Sequence, residues 1–188
     1  MDFLKNKFGP LASLLIVIWV VEILNLFAGH SLSVWGILPR DTSGLIGIPF
    51  APFLHGSLLH AVSNTVPLLI LGGLAILSFG NRFVSLTVVI ITLSGIGVWL
   101  FGRDAYHVGA SGLIFGYFGA LLASAFIDRR LSSVLTALIT VVLYGGLVFG
   151  LLPLVPGVSV ESHFFGLISG VAFVWYGRQR RPKKQTGQ

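Results

Sequence analysis

The stretch VGASGLIFGYFGALLASAFIDRR, residues 108–130, decides how the rest of the chain is read. From Ser111 to Ile127 it carries no charge, and it stops at Asp128-Arg129-Arg130. A helix of about 20 predominantly apolar residues crosses the hydrocarbon of a bilayer. Gly112 and Gly116 are four residues apart, the spacing by which membrane helices bring their backbones together. A polar Gly109-Ala110-Ser111-Gly112 string therefore sits at the mouth of an apolar span.

Five further runs of the same kind lie on either side. They cover about 11–28, 58–79, 83–101, 131–152 and 159–176, bounded by charge, proline or glycine. Of the 188 residues, 55% are hydrophobic and 10% are charged, and the mean hydropathy is +0.94. A soluble domain carries roughly 25% charged residues, so that class is excluded. With no cysteine, thiolate metal sites and cysteine nucleophiles are excluded too.

The net charge of +6 does not point to nucleic acid, because the basic residues form short clusters between apolar runs instead of one stripe. Membrane topology accounts for them. One side of the six spans holds Lys5, Lys7, Arg82, Arg129, Arg130, Arg178, Arg180, Arg181, Lys183 and Lys184, and the other holds Arg40 and Arg103. Cytoplasmic loops carry the excess of Lys and Arg, so both termini are expected in the cytoplasm. The expected layout is a cytoplasmic N-terminus over 1–10, an all-α six-helix membrane domain over 11–177, and a basic cytoplasmic tail over 178–188 that grips anionic lipid headgroups. The first span, about 18 residues long and with no A-x-A site after it, reads as a membrane helix and not a signal peptide.

Between the first two spans, residues 29–54 are too broken in pattern to cross the bilayer. With Trp35, Phe50, Phe53 and several prolines they read as a structured loop half buried at the outer surface. Glu22, inside the first span and one turn from Asn25, reads as an interhelical contact. Pro153, Pro156 and Gly157 lie in the connection 153–161, which reads as a lid hinged beside Gly145, Gly146 and Gly150. Those glycines read equally well as close-packing contacts.

Polar residues are costly in lipid, so the few at the outer ends of the spans are informative. Three constellations stand out: His55, His60 and Asn64, of which the last two share a helix face; the string at Ser111; and His163, followed by Gly166 and Gly170. By the charge count all three lie toward the extracytoplasmic side. Singly each has a structural reading, a packing serine or a histidine making one hydrogen bond. Together they supply a hydroxyl, a base able to activate it, and donors for an oxyanion. No carboxylate completes a triad, since Glu161, two residues before His163, faces elsewhere on a helix.

With these residues in place, the chain resembles the rhomboid intramembrane serine proteases over nearly its whole length. The resemblance is carried by the His55, His60, Asn64 set, by Gly109-Ala110-Ser111-Gly112, and by Ser162-His163-x-x-Gly166-x-x-x-Gly170. It implies a six-helix core, Ser111 as nucleophile, His163 as base, and His60 and Asn64 at the oxyanion. His55, Gly109, Gly112, Gly166 and Gly170 would be supporting residues, and no metal or cofactor is implied. Many members carry Tyr four residues after the serine. Here the position is Phe115, which keeps a ring to stack on the histidine and lacks the hydroxyl. Trp35 and Arg40 are not adjacent as in relatives, and receive structural roles.

The implied substrates are single-span membrane proteins, and the expected location is a prokaryotic plasma membrane. The oligomeric state stays open. Three other readings compete: an inactive rhomboid-like scaffold, a small transporter with a His/Ser relay, and a metal site made from His55, His60 and His163. Two simple assays separate them. A dyad needs neutral His163 as proton acceptor, so proteolysis should fall on acidification through the ordinary histidine range near pH 6.5 and be indifferent to EDTA.

Overall fold

The computed structural model describes residues 2–153 and 157–179. Pro156 of the expected lid and the tail from Arg180 to Lys184 lie outside the described residues. The elements are helical: α1 (Asp2–Phe27), the one-turn α2 (Gly47–Phe50), α3 (Leu58–Phe79), α4 (Phe83–Phe101), α5 (Ser111–Asp128), α6 (Leu131–Tyr144) and α7 (Val160–Gln179). Among the described residues four stretches, 7–27, 58–101, 111–128 and 131–151, are long and apolar enough to cross a membrane. The second of them has 44 residues and holds both α3 and α4, turning at Gly80, whose φ of +53° suits a residue without a Cβ.

Two boundaries differ from the sequence expectation. Helix α1 runs from Asp2 through Pro10 to Phe27, so residues 2–10 are helical and continuous with the first span. Proline removes one backbone bond but does not forbid a helix on either side of it. The fifth run is also not uniform. Helix α6 ends at Tyr144, and residues Gly145–Leu151 tighten into a 3-10 helix.

Helix α5 is the axis of the bundle, with every residue from Ser111 to Leu121 buried. Leu68 and Leu71 of α3, Leu86 and Ile90 of α4, and Leu113, Tyr117 and Leu121 of α5 form its core. The Tyr117 hydroxyl, inside that core, pairs with Thr87 at 2.7 Å. Large apolar side chains point outward instead, as Leu138 and Val142 do on α6. That inversion of the soluble pattern is what a lipid-facing surface requires.

Because lipid tails are as apolar as leucine, helix association rests on close packing. Helices α5 and α7 show it most clearly. A Cβ on Gly166 would be driven into the carbonyl of Gly112, and one on Gly170 into that of Gly116. Gly119 meets the Leu167 carbonyl in the same way. At the other end Arg82 lies over the Phe173 ring, 4.7 Å from its centroid, and ties the α3–α4 turn to α7.

Above the bundle, residues 29–57 form a loop built from short helical turns. It is fastened at several points. Ile37 and His107 exchange backbone hydrogen bonds of 3.0 and 2.9 Å, the Arg40 amide donates to Trp99 O, and the Trp99 indole donates to Asp41 O. Arg40 also reaches Gly102 O and Asp104, the structural role expected of it.

Overpacking against backbone costs about 1–3 kcal/mol. Gly166→Ala and Gly170→Ala should each lose that much in thermal unfolding in detergent. Gly73→Ala in α3, with nothing within 4 Å of its Cβ position, should instead gain up to about 1 kcal/mol in helix propensity.

Candidate active site

Ser111 is the first residue of α5 and His163 lies in the first turn of α7, so the glycine contact between these helices brings the two residues to the same end of the bundle. Both are buried, and both line one cavity of about 670 Å³ with His60, Ser63, Val108 and residues 157–159. Phe115, one turn below Ser111, stacks on the His163 ring with centroids 4.1 Å apart and planes 7° from parallel. The stacking that Phe115 was expected to keep is present.

The Nδ1 of His163 lies 2.7 Å from the carbonyl oxygen of Gly150. A carbonyl only accepts, so Nδ1 is the donor in this contact. Glu161 does not reach the imidazole. It accepts from the Arg103 amide at 3.2 Å and faces the Arg103 guanidinium at 3.7 Å.

His60 and Asn64 sit on the first two turns of α3. Ser57 caps that helix by accepting from the His60 amide at 3.2 Å. Asn64 is buried, and its Nδ2 has no partner among the described residues. A buried amide donor left unmade costs about 1–3 kcal/mol. Gly109, at φ +118°, lies directly against this pair: a Cβ there would stand 2.8 Å from His60 Nε2 and 3.5 Å from Asn64 Nδ2. The Gly109 amide donates to Ala51 O at 2.9 Å, so the outer loop holds the approach in place.

His55 is fully buried under this group, its ring edge-on to His60 at 5.0 Å between centroids. Its Nε2 accepts from the Ala110 amide at 3.4 Å, which ties it to the serine string. Its carbonyl accepts from Asn25 Nδ2 at 2.9 Å, and Asn25 Oδ1 accepts from the Leu32 amide. Glu22 is buried one turn away with His30 Nε2 at 3.2 Å, so its partner lies in the loop that follows α1 and not on another helix, as had been expected.

Three residues near the site carried no such signal in the sequence reading. His107 pairs through Nδ1 with Ser159 at 2.6 Å and through Nε2–H with Arg103 O at 3.0 Å. Ser159 in turn pairs with Ser162, beside the base, at 2.7 Å. Nothing periodic marks His107 or Ser159. Gly150 appeared only as a hinge or packing glycine, and it packs: a Cβ on it would meet Phe115 Cζ at 2.9 Å.

The sequence pattern of the Rhomboid domain matches residues 42–180, about three quarters of the chain. The chain belongs to the rhomboid family. Its relatives include uncharacterized proteins of Mycobacterium tuberculosis, 36% identical over 184 residues, covering 91% of this chain and 77% of theirs. One of Mycobacterium leprae is 35% identical over 184 residues, covering 91% and 73%. A RHOMBOID-like protein 4 of Arabidopsis thaliana is 33% identical over 120 residues, covering 63% of this chain and 30% of its own. Together with the apolar helices, family membership makes this rhomboid a multi-pass membrane protein.

The supporting glycines of this rhomboid are not equivalent. Gly109→Ala combines a strained φ with a collision at His60 and should destabilise by about 1–3 kcal/mol. Gly112→Ala, whose Cβ would find its nearest neighbour, Ser162 O, at an ordinary 3.4 Å, should be close to neutral in the same thermal unfolding measurement.

Proposed function

We propose that this rhomboid is an intramembrane serine endopeptidase that cuts peptide bonds in transmembrane segments. The observation that carries the reading is the shared cavity, in which Ser111, His163 and His60 face one space large enough for an unwound peptide segment. Ser111 Oγ attacks the scissile carbonyl while His163 Nε2 takes its proton. The tetrahedral oxyanion accepts hydrogen bonds from Asn64 Nδ2, His60 and the Ser111 amide. His163 then gives the proton to the leaving amine, and water hydrolyses the acyl-enzyme by the same route with His163 as base.

The unpartnered Asn64 Nδ2 supports the oxyanion assignment, because a developing negative oxygen is the partner such a donor lacks. His55, bonded to the Ala110 amide, is a supporting residue. The topology of this reading, supported by the Lys and Arg count, is six crossings of a prokaryotic plasma membrane with both termini cytoplasmic and the cavity open to water on the extracytoplasmic face. The substrates are single-span proteins that unwind locally, since an intact helix shields its carbonyls. They enter sideways past α6, where only Ala137 and Thr140 are buried and the helix is loosely held.

Purified protein incubated with a panel of transmembrane substrates tests the proposal. Ser111→Ala and His163→Ala should abolish cleavage, and the first should abolish fluorophosphonate labelling, with folding intact. Truncating His60 or Asn64 should lower kcat by about 10² to 10³. Cleavage at the same bond by Ser111→Ala would refute the assignment.

A further inference from the structure

We propose that the main-chain carbonyl of Gly150 is the third member of this site, a positioning group that holds His163 with its proton on Nδ1 and its lone pair on Nε2. The inference rests on the Ser111–His163 reading and deepens it. In a Ser-His-Asp triad the carboxylate fixes the tautomer and orientation of the imidazole. The carboxylates of α7 and of the α1 span are held elsewhere, Glu161 by Arg103 and Glu22 by His30. The ring needs another acceptor, and at 2.7 Å Gly150 O is one.

Local sequence explains why this carbonyl is available. Within the 3-10 helix Gly145–Leu151, a carbonyl bonds the amide three residues on. For Gly150 that residue is Pro153, which has no N–H. The residue before a proline is also driven out of the helical region, and Leu152 is extended at φ −102° and ψ 144°. The helix thus ends with the Gly150 oxygen unclaimed and directed at His163. Glycine is required for the approach, because a side chain at this position would press on Phe115 and the imidazole. A neutral carbonyl is also a cheaper group to bury near lipid than an ionised carboxylate.

The consequence is a link between the entrance and the chemistry. Gly150 rides on the end of the α6 run, the loosely packed element beside the cavity. The base is set only while that segment is seated on α7, so a substrate that displaces it must let it return before Ser111 is activated.

Histidine-labelled ¹⁵N protein in detergent micelles, well above the ordinary histidine pKa of about 6.5, reports the tautomer directly, with the His163 signal assigned by its loss in His163→Ala. The unmodified protein should show the proton on Nδ1. Replacing Leu151 by its α-hydroxy analogue turns the Gly150 carbonyl into an ester, a weaker acceptor. Its His163 should shift toward the Nε2–H form, and kcat should fall about tenfold, the loss of one ordinary hydrogen bond, with KM unchanged. The same exchange at Leu147, which weakens the Gly146 carbonyl, should leave the tautomer alone. Pro153→Ala, which restores a competing N–H, should act in the direction of the Leu151 ester. A proton on Nε2 in the unmodified protein, or an unmoved tautomer in both the Leu151 ester and Pro153→Ala, would overturn the proposal. Persistent cleavage by Ser111→Ala would refute the protease reading instead, and the tautomer would still judge the Gly150 bond.

Discussion

The contact between α5 and α7 is the constraint on which the site depends. In lipid there is no solvent-driven force between helices, so two backbones stay together only if their surfaces meet over a long, close seam. Gly166 and Gly170 lie against the Gly112 and Gly116 carbonyls, and Gly119 against that of Leu167. A backbone seam has few ways to repack, which makes it a rigid datum. Ser111 stands at its outer end on one helix and His163 on the other. Phe115, a turn below Ser111, uses the same proximity to stack on the imidazole.

The second constraint is the polar inventory. Each buried polar group near lipid needs a partner, and most have one supplied from another element. Asn25 of α1 satisfies the His55 carbonyl and the Leu32 amide, and the His55 ring satisfies the Ala110 amide. His107 and Ser159 link the loop before α5 to the start of α7. These bonds carry the outer loop onto the end of the bundle, where Ala51 O holds the Gly109 amide. Against that background the Asn64 Nδ2, one turn along α3 from His60, is an exception, buried and without a partner among the described residues.

The packing is uneven in a way that bears on function. Helix α5 is buried along most of its length, whereas α6 buries little and its run ends in a 3-10 segment. Local opening is drawn from the elements with the fewest buried contacts. A closely packed pair of helices carrying Ser111 and His163 is thus flanked by one helix that buries little.

The apolar runs and their charged or glycine-rich ends were enough to delimit α3 and α4, because a span in lipid must be apolar along its length and nothing else in the chain is. The same logic singled out His60, Asn64, Ser111 and His163, since polar groups at such depth are few. Spacing could also place Gly112, Gly166 and Gly170 on packing faces, and the family resemblance implied that Phe115 stacks on the histidine. Sequence could not say which glycines touch. A Cβ on Gly166 would strike backbone whereas one on Gly112 would meet only ordinary contacts, a difference set by the offset of two helices. Nor could it show that α1 runs unbroken through Pro10, which one lost hydrogen bond permits but does not dictate. The partners of Asn25, His107 and His163 lie mostly on the main chain, which carries no residue-specific signal. Only the folded chain, by bringing Gly150 O to His163 and Asp41 O to Trp99, decides where those bonds go.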